Sequence, residues 1–278
     1  MQSIDITNRD QPAPAFTRIA PYYDDLMKDV PYMAWVRFVL ALTERHRLRP
    51  ERILDLACGT GTVTRILCSR GYEMVGIDGS PAMLAVARQK AAAARMEIPF
   101  LVSDLRYFKA PGQFDLVLCL YDSLNNILEP EGLARAFQCV RKALAPGGLF
   151  IFDMNTEYAF RADLFSQQNL KPDSPVQYRW NSQYDYSTRI CTVRMHFWVL
   201  EEGERREFEE VHHQRAYNMV ELERLLDAAG LRLDGSYDGL TYRAPSHRTD
   251  RVYCVARVKE EQEMVQGIAN DRYRSAPA

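Results

Sequence analysis

The chain has 278 residues, 47% of them hydrophobic and 26% charged, with 35 basic against 37 acidic side chains and a formal net charge of -2. That length carries one large domain or a core with an added unit, and the apolar fraction is enough for a sizeable core. Disordered, collagen-like and coiled-coil classes are excluded, and a nearly neutral balance advertises no polyanionic partner. Cys58, Cys68, Cys119, Cys139, Cys191 and Cys254 stand singly, without a CxxC pair, behind a polar start (MQSIDITNRDQ). Free thiols in a reducing compartment fit that pattern, and no run approaches about 18 consecutive apolar residues. The expectation is a cytoplasmic protein with no membrane span, monomeric or homodimeric.

Residues 1–15 read as a loose polar and Pro/Ala-rich lead. From Phe16 to about His46 the pattern is helical, with Pro21 and Pro31 marking two helix starts. After Arg49-Pro50-Glu51, strand and helix alternate. RILDLA (52–57) is a buried strand, TVTRILCSR (62–70) a short helix closed by Gly71, and EMVGID (73–78) the next strand. Ser80-Pro81 places an N-cap and a proline at N1 before a helix that runs through the alanines at 91–94. Strands follow at 98–104, 114–120 and 147–154, with a helix from Glu131 to Leu144 between the last two.

At Asn155 the rhythm changes. Tyr178, Trp180, Ser182, Tyr184 and Tyr186 alternate with polar residues over 177–186, and Cys191, Val193, Met195, Phe197 and Val199 share a face over 191–199. A hairpin through Glu202-Gly203 leads to a third strand reaching Arg215, and EEGERREFEE (201–210) reads as its solvated tip. Period-2 patterning with one polar face marks an inserted antiparallel unit at 156–215. Helix returns at Asn218, with Asn218 and Glu221 as a capping-box pair and Gly230 as the C-cap, and strands 231–238 and 251–258 follow. The expected fold is α/β: a doubly wound, mostly parallel seven-stranded sheet with an antiparallel β insertion. The expected units are an N-terminal helical cover (1–45), a core (46–155 and 216–258), the insertion (156–215) and a C-terminal tail (259–278).

ILDLACGTGTVT (53–64) carries the chemistry. A strand running into Cys58-Gly59-Thr60-Gly61 and then a helix lets a ligand approach the backbone. The third glycine of a dinucleotide fingerprint would fall at Thr64, and no Gly-Lys-Ser/Thr follows for a P-loop. Asp55 lies in the first strand, Asp78 ends the second and Asp104 ends the third. An acid at the end of the second strand is placed to accept both ribose hydroxyls of a nucleoside, and Asp104 to accept from an adenine amino group. Either acid alone is equally well a cap or turn residue. With the glycine turn, the set points to nucleoside recognition without a diphosphate clamp.

ILDLACGTGTVT, VGIDGS (75–80), SDL (103–105), FDLVLCLYDSLNNI (114–127) and LAPGGLFIFDMNT (144–156) closely resemble the class I S-adenosylmethionine-dependent methyltransferases over roughly 45–258. YYDDLMKDVPYMAW (22–35) and the strand-rich insertion resemble a bacterial methyltransferase-domain subgroup. The resemblance implies a Rossmann-like methyltransferase fold and S-adenosyl-L-methionine as cofactor. It implies that Ala57, Gly59 and Gly61 hold the methionine part, that Asp78, Gly79 and Ser80 bind the ribose, and that Met83 lines an adenine face. Asp104 and Leu105 would meet the adenine edge, Leu120 would pass its backbone near the sulfonium, and Tyr23 would close over the cofactor. Cys58 departs from a pattern that is often glycine, and reads as a small buried thiol.

In-line methyl transfer asks the protein mainly for position and desolvation, so a missing catalytic triad is uninformative. The five histidines show no HxxxH or HExxH spacing, and no metal site is expected. The insertion leaves from the carboxyl ends of the strands, the ligand side of an open α/β sheet, as a lid or wall for the acceptor. Its aromatic face either packs on the core or lines the pocket. Tyr121 and Ser123, with Asp122 and Asn125, follow the sulfonium-facing turn and are the preferred polar group on the acceptor side, Tyr121 and Ser123 being catalytic candidates. His213 or Tyr217 can accept a proton or orient a substrate, and a structural hydrogen bond is equally open to them. The expected reaction is methylation of an N or O atom of a small-molecule acceptor. A tRNA or protein acceptor and a non-catalytic cofactor-binding scaffold are the alternatives. Nucleic acid is not favoured, because the glutamates of 201–210 repel phosphate and Arg18, Arg37, Arg45, Arg47, Arg49 and Arg52 form only a loose cluster.

Overall fold

The computed structural model describes residues 15–201 and 203–259. The expected loose lead at 1–14, the turn residue Glu202 and the tail from 260 onward lie outside the described residues. Pro21 opens a 3-10 turn (Ala20–Tyr22) that runs into α1 (Tyr23–Leu26), and Pro31 is the N-cap of α2 (Tyr32–Arg45). The alternating stretch follows as β1 (Arg52–Leu56), α3 (Thr62–Cys68), β2 (Glu73–Asp78), α4 (Pro81–Ala93), β3 (Phe100–Val102), β4 (Phe114–Cys119), α5 (Pro130–Ala143) and β5 (Leu144–Asn155). Two short elements were not visible in the pattern: α6 (Glu157–Arg161), capped by Thr156, and β6 (Gln167–Asn169). The hairpin strands are β7 (Val176–Asp185), β8 (Ile190–Glu201) and β9 (Glu204–Arg215), and α7 (Met219–Ala228), β10 (Leu231–Asp238) and β11 (Arg251–Val258) complete the order.

Seven strands form one sheet in the order β10-β11-β5-β4-β1-β2-β3. β1 to β5 run parallel, and β11 is antiparallel to both neighbours, β5 and β10. The order reverses direction between β1 and β4, which makes a topological switch point, the place where such sheets bind ligands beyond the strands' carboxyl ends. β6 to β9 form a separate antiparallel sheet in the order β6-β7-β8-β9.

Apolar packing covers both faces of the large sheet. Phe137, Val140, Leu222 and Leu226, from α5 and α7, pack with Val117, Phe150 and Phe152. On the other face Val36, Val39 and Leu42 of α2 pack with Ile53, Leu118 and Tyr253, a helical stripe on continuous apolar strands. The caps read from the sequence are present: the Ser80 hydroxyl accepts from the Met83 amide, and Asn218 accepts from Glu221. The reciprocal half of the capping box is replaced, because the Glu221 carboxylate pairs with Arg189 at 3.0 Å and Arg215 at 3.4 Å.

Asp55 stands out in this core. It is 3% exposed and accepts a 2.5 Å hydrogen bond from the Thr64 hydroxyl, and burial raises its carboxyl to about 7. The folded chain therefore holds a proton there that the unfolded chain has released between about pH 4 and 7, so this carboxyl's contribution to stability falls as pH rises through that window. Asp55→Asn removes the charge and keeps an acceptor for Thr64. Its stability relative to wild type should rise by roughly 2–4 kcal/mol between pH 4 and pH 8. Urea unfolding at the two pH values checks this, and a pH-independent difference contradicts it.

Candidate functional site

The ends of β1, β2 and β4 open into one cavity of about 880 Å³, which is within the range of about 300–1,000 Å³ usual for small-molecule sites. Its floor begins at the turn after β1. Ala57 and Gly59 both line it, with φ of 52° and 54°, and a Cβ built on Gly59 would meet no atom within 4 Å. Backbone is thus exposed to the cavity there. Gly61 lies behind, as the left-handed N-cap of α3, where an added Cβ would come within 3.1 Å of the Phe100 ring and 3.2 Å of Ala87. Its role is packing of the turn against β3 and α4, and it does not line the cavity.

Asp78 ends β2 with both oxygens facing this turn. Oδ2 accepts from the Gly59 amide at 2.8 Å and Oδ1 from the Ser80 amide at 2.7 Å. Burial raises its carboxyl above the ordinary value against the pull of these two amides. Each oxygen keeps a further lone pair for a ligand donor. Gly79, Ser80 and Met83 continue the same wall, and Asp104 and Leu105 line it beyond β3. Asp104 is not a bare acceptor: the Arg106 guanidinium grips it at 2.9 and 2.6 Å and holds its carboxyl below the usual range.

The turn after β4 is the centre of the site. Tyr121 and Asp122 both take left-handed backbone, φ 65° and 50°, which non-glycine residues adopt only when held there. The holder is Asp153 of β5, 0% exposed, which accepts the Tyr121 amide at 2.6 Å and the Asp122 amide at 3.1 Å. Arg251, at the start of β11, bonds Asp153 through one nitrogen and Asp122 through the other, the latter at 2.7 Å, and lies over the rings of Trp35 and Tyr121. Those two rings stack at 5.0 Å. Tyr121 and Ser123 line the cavity, whereas Leu120 faces a smaller hollow of about 60 Å³ bounded also by Tyr23, Ala57, Gly59 and Tyr121.

Two segments wall the other side. The N-terminal stretch contributes Phe16, Ile19, Tyr23 and Met27, and the small sheet contributes Trp180, Val193, Met195 and Phe197. A buried carboxylate joins them: Glu210 of β9 accepts the amides of Phe16 at 2.9 Å, Arg18 at 3.0 Å and Ile19 at 3.1 Å, and pairs with His212 at 2.9 Å. Burial works to raise this carboxyl, but His212 and the Phe16 and Ile19 amides outweigh it and hold it below its ordinary value. On the opposite side the Phe16 carbonyl accepts from the Ser80 hydroxyl at 3.2 Å. Glu210 therefore corrects the reading of 201–210 as solvated throughout: Glu204, Arg205, Arg206, Glu207 and Glu209 are exposed, and Glu210 is 5% exposed.

The aromatic face of the insertion divides. Trp180 lines the cavity, with Tyr178 against it at 4.8 Å; Tyr184 stacks on Phe160, and Tyr186 is 66% exposed. Two expected catalytic residues lie outside the cavity. His213 is on the exposed face of β9, its Nδ1 3.0 Å from the Thr192 hydroxyl, because successive strand residues point to opposite faces and His212 takes the inner one. Tyr217 is buried behind the site and donates a 2.6 Å bond to the Ile127 carbonyl. Tyr217→Phe should cost about 1–2 kcal/mol of stability, measured by denaturant unfolding, and a change below 0.3 kcal/mol would contradict a structural hydrogen bond there. The site residues given no role by the sequence are Trp35, Asp153, Glu210, His212, Gln214 and Arg251. For Asp153 the signal was present: an acid inside the apolar strand LFIFDM requires a buried partner.

An open α/β sheet with a glycine turn after β1, an acid ending β2 and a cavity over the switch point defines a nucleoside-cofactor enzyme of the Rossmann-like type. The residues fit S-adenosylmethionine: backbone is open at Gly59, Asp78 has acceptor capacity for two hydroxyls, and no clamp for a diphosphate is needed. A family model described as a methyltransferase domain matches residues 53–148. A putative methyltransferase of Bacillus subtilis (strain 168), YqeM, is 33% identical over 241 residues, which are 85% of this chain and 94% of that protein. A S-adenosylmethionine-dependent methyltransferase from Clostridium acetobutylicum superposes with a TM-score of 0.78 at 28% identity, covering 88% of this chain and 99% of that one. SAM-bound CalS10 from Micromonospora echinaspora, an amino pentose methyltransferase, shares the fold with a TM-score of 0.68 at 22% identity, over 86% and 95% of the two chains. The chain belongs to the class I S-adenosylmethionine-dependent methyltransferases, and it is a methyltransferase with S-adenosylmethionine as its cofactor.

Proposed function

We propose that the chain methylates an N or O atom of a small-molecule acceptor by in-line displacement. The observation that carries this reading is the construction of the cavity. Its volume of about 880 Å³ extends from the Gly59–Asp78 turn to the wall made by Trp180, Phe197 and His212, and the stretch from Phe16 to Ile19 is tied across it by Glu210. A cavity of this size, walled by the small sheet and the N-terminal stretch, accommodates a compact acceptor beside the cofactor. Arg18, Arg45 and Arg52 are each drawn over a different ring, of Phe208, Tyr242 and Phe114, which argues against a single phosphate-tracking groove. CalS10, which shares the fold, acts on an amino pentose, so small acceptors are compatible with this architecture.

In this reading Asp78, flanked by Gly79 and Ser80, accepts the ribose hydroxyls, Ala57 and Gly59 border the methionine part with Gly61 shaping their turn, and Met83, Asp104 and Leu105 surround the adenine. The Leu120 and Tyr121 backbone faces the sulfonium and Tyr23 closes over it. When bound, S-adenosylmethionine supplies a methyl carbon already activated by its sulfonium. The protein supplies alignment and a dry wall, with Tyr121 and Ser123 on the acceptor side. Incubation with methyl-labelled S-adenosylmethionine and an extract of bacterial metabolites, tRNA and protein tests the reading. Label in the small-molecule fraction is expected. Label confined to tRNA or polypeptide, or no transfer to any fraction, overturns it.

A further inference from the structure

The inner face of β9 is unusual for a strand packed on a cavity. Alternate residues Phe208, Glu210, His212 and Gln214 point inward, and the last three are polar yet only 5%, 5% and 9% exposed. Buried polar side chains of this kind are retained where their hydrogen bonds or their chemistry are used. Two of the three are accounted for by architecture. Glu210 holds the amides of the N-terminal stretch. Gln214 is used at both ends of its amide, donating to Asp122 at 2.5 Å and accepting from Asn155 at 3.1 Å.

His212 is different. Its Nε2 is 2.9 Å from the Glu210 carboxylate, and the Phe16 ring packs edge-on against the imidazole at 4.4 Å. A carboxylate at that distance accepts, so Nε2 carries a proton, and in the neutral ring this fixes the tautomer that leaves Nδ1 its lone pair. Nδ1 has no hydrogen-bond partner among the described residues, and the ring lines the cavity. Because Gln214 touches Asp122 and His212 stands two residues away on the same face, the imidazole is displaced about 7 Å along β9 from the turn that faces the methyl donor.

We infer that His212 is the general base of methyl transfer and that Glu210 is its positioning residue. This deepens the small-molecule reading above and rests on it, and it narrows the acceptor to one that arrives carrying a proton to lose, a hydroxyl or an ammonium. An ammonium must first give up its proton to expose a lone pair, whereas a hydroxyl can lose its proton as it attacks. In both cases that lone pair forms the new bond to the methyl carbon while the electron pair of the breaking carbon–sulfur bond stays on sulfur. The acceptor's proton passes to Nδ1, leaving an imidazolium whose charge faces the Glu210 carboxylate, and it leaves to water after product release. Tyr121 and Ser123, the polar groups assigned to the acceptor side, are poor candidates. The Ser123 hydroxyl donates to the Leu120 carbonyl at 2.8 Å, and burial raises the Tyr121 hydroxyl, which keeps it protonated. The elements packed on the imidazole bring little competing charge. β8 offers Val193 and Met195, the turn at Ser123–Asn126 holds no titratable group, Arg18 is drawn off over Phe208, and Asp122 is paired with Arg251.

The test uses the full chain in two arms. In the first, histidine-labelled protein saturated with S-adenosylhomocysteine is observed by NMR at pH 7.5. A neutral His212 with hydrogen on Nε2 is expected, and Glu210→Gln should weaken that preference. Hydrogen on Nδ1, or a doubly protonated ring at pH 7.5, overturns the inference whether or not an acceptor is found. In the second, transfer from labelled S-adenosylmethionine to the metabolite extract is compared between wild type and His212→Asn, alongside calorimetry with S-adenosylhomocysteine. Loss of about 100-fold or more in transfer is expected, with product affinity within about threefold of wild type. Transfer within threefold of wild type overturns the inference. Failure of the wild type to label any small molecule condemns the small-molecule reading instead, and the NMR arm still judges His212.

Discussion

Arg251→Met is expected to destabilise the fold by about 3–5 kcal/mol, the usual cost of stripping one partner from a buried charge cluster. Methionine keeps an unbranched apolar stem of similar length but removes the guanidinium, and with it both the ion pairs and the contacts over the Trp35 and Tyr121 rings. It leaves Asp153, 0% exposed, and Asp122, 7% exposed, facing each other with no cation between them. The damage does not stay local. Asp153 is the acceptor that keeps Tyr121 and Asp122 in left-handed backbone, so a protonated or displaced Asp153 releases the turn after β4 that lines the cavity. Thermal unfolding should drop by roughly 10 °C, at about 2–4 °C per kcal/mol for a chain of this size. A shift under 2 °C would show that the two acids do not depend on Arg251.

Asp78→Ala is expected to weaken S-adenosylhomocysteine binding by about 100- to 1,000-fold. Two hydrogen bonds to a charged acceptor, at about 1.5–3 kcal/mol each, reach that range even after partial replacement by water. The same substitution frees the Gly59 and Ser80 amides, and the turn at Gly59 loses its anchor. Asp78→Asn separates the effects, since an amide oxygen can still hold one of the two amides, and it should lie between alanine and wild type. Calorimetry measures all three. Equal affinity for the three proteins would remove Asp78 from the cofactor site.

The elements and their order were legible because each has a local cause. Ser80-Pro81 starts α4, Asn218 starts α7, and the switch from continuous to alternating apolar residues marks the boundary between the two sheets. The floor of the cavity was legible for the same reason, since the glycine turn and the acids at strand ends lie within a few residues of the strands that position them. What stayed hidden depends on long-range pairing. Arg251 meets Asp153 across 98 residues and Glu210 meets Phe16 across 194, and nothing in either local sequence names its partner. His212 and His213 show the limit most sharply. Adjacent strand residues point to opposite faces, so choosing between them needs the register of β9 against β8, where Val193 stands opposite His212 and Thr192 opposite His213. A glutamate inside an acidic run reads as solvated until its backbone partners are known, and Glu210 gained three of them from a segment at the other end of the chain.

A crystal structure of the chain with S-adenosylhomocysteine tests the central claim most directly. Both ribose hydroxyls should lie within hydrogen-bond distance of the Asp78 carboxylate, with the sulfur beside the Leu120–Tyr121 turn. Open cavity should remain between that sulfur and His212. A nucleoside bound away from Asp78, or one that fills the space beneath Trp180 and His212 and leaves no room for an acceptor, would contradict it.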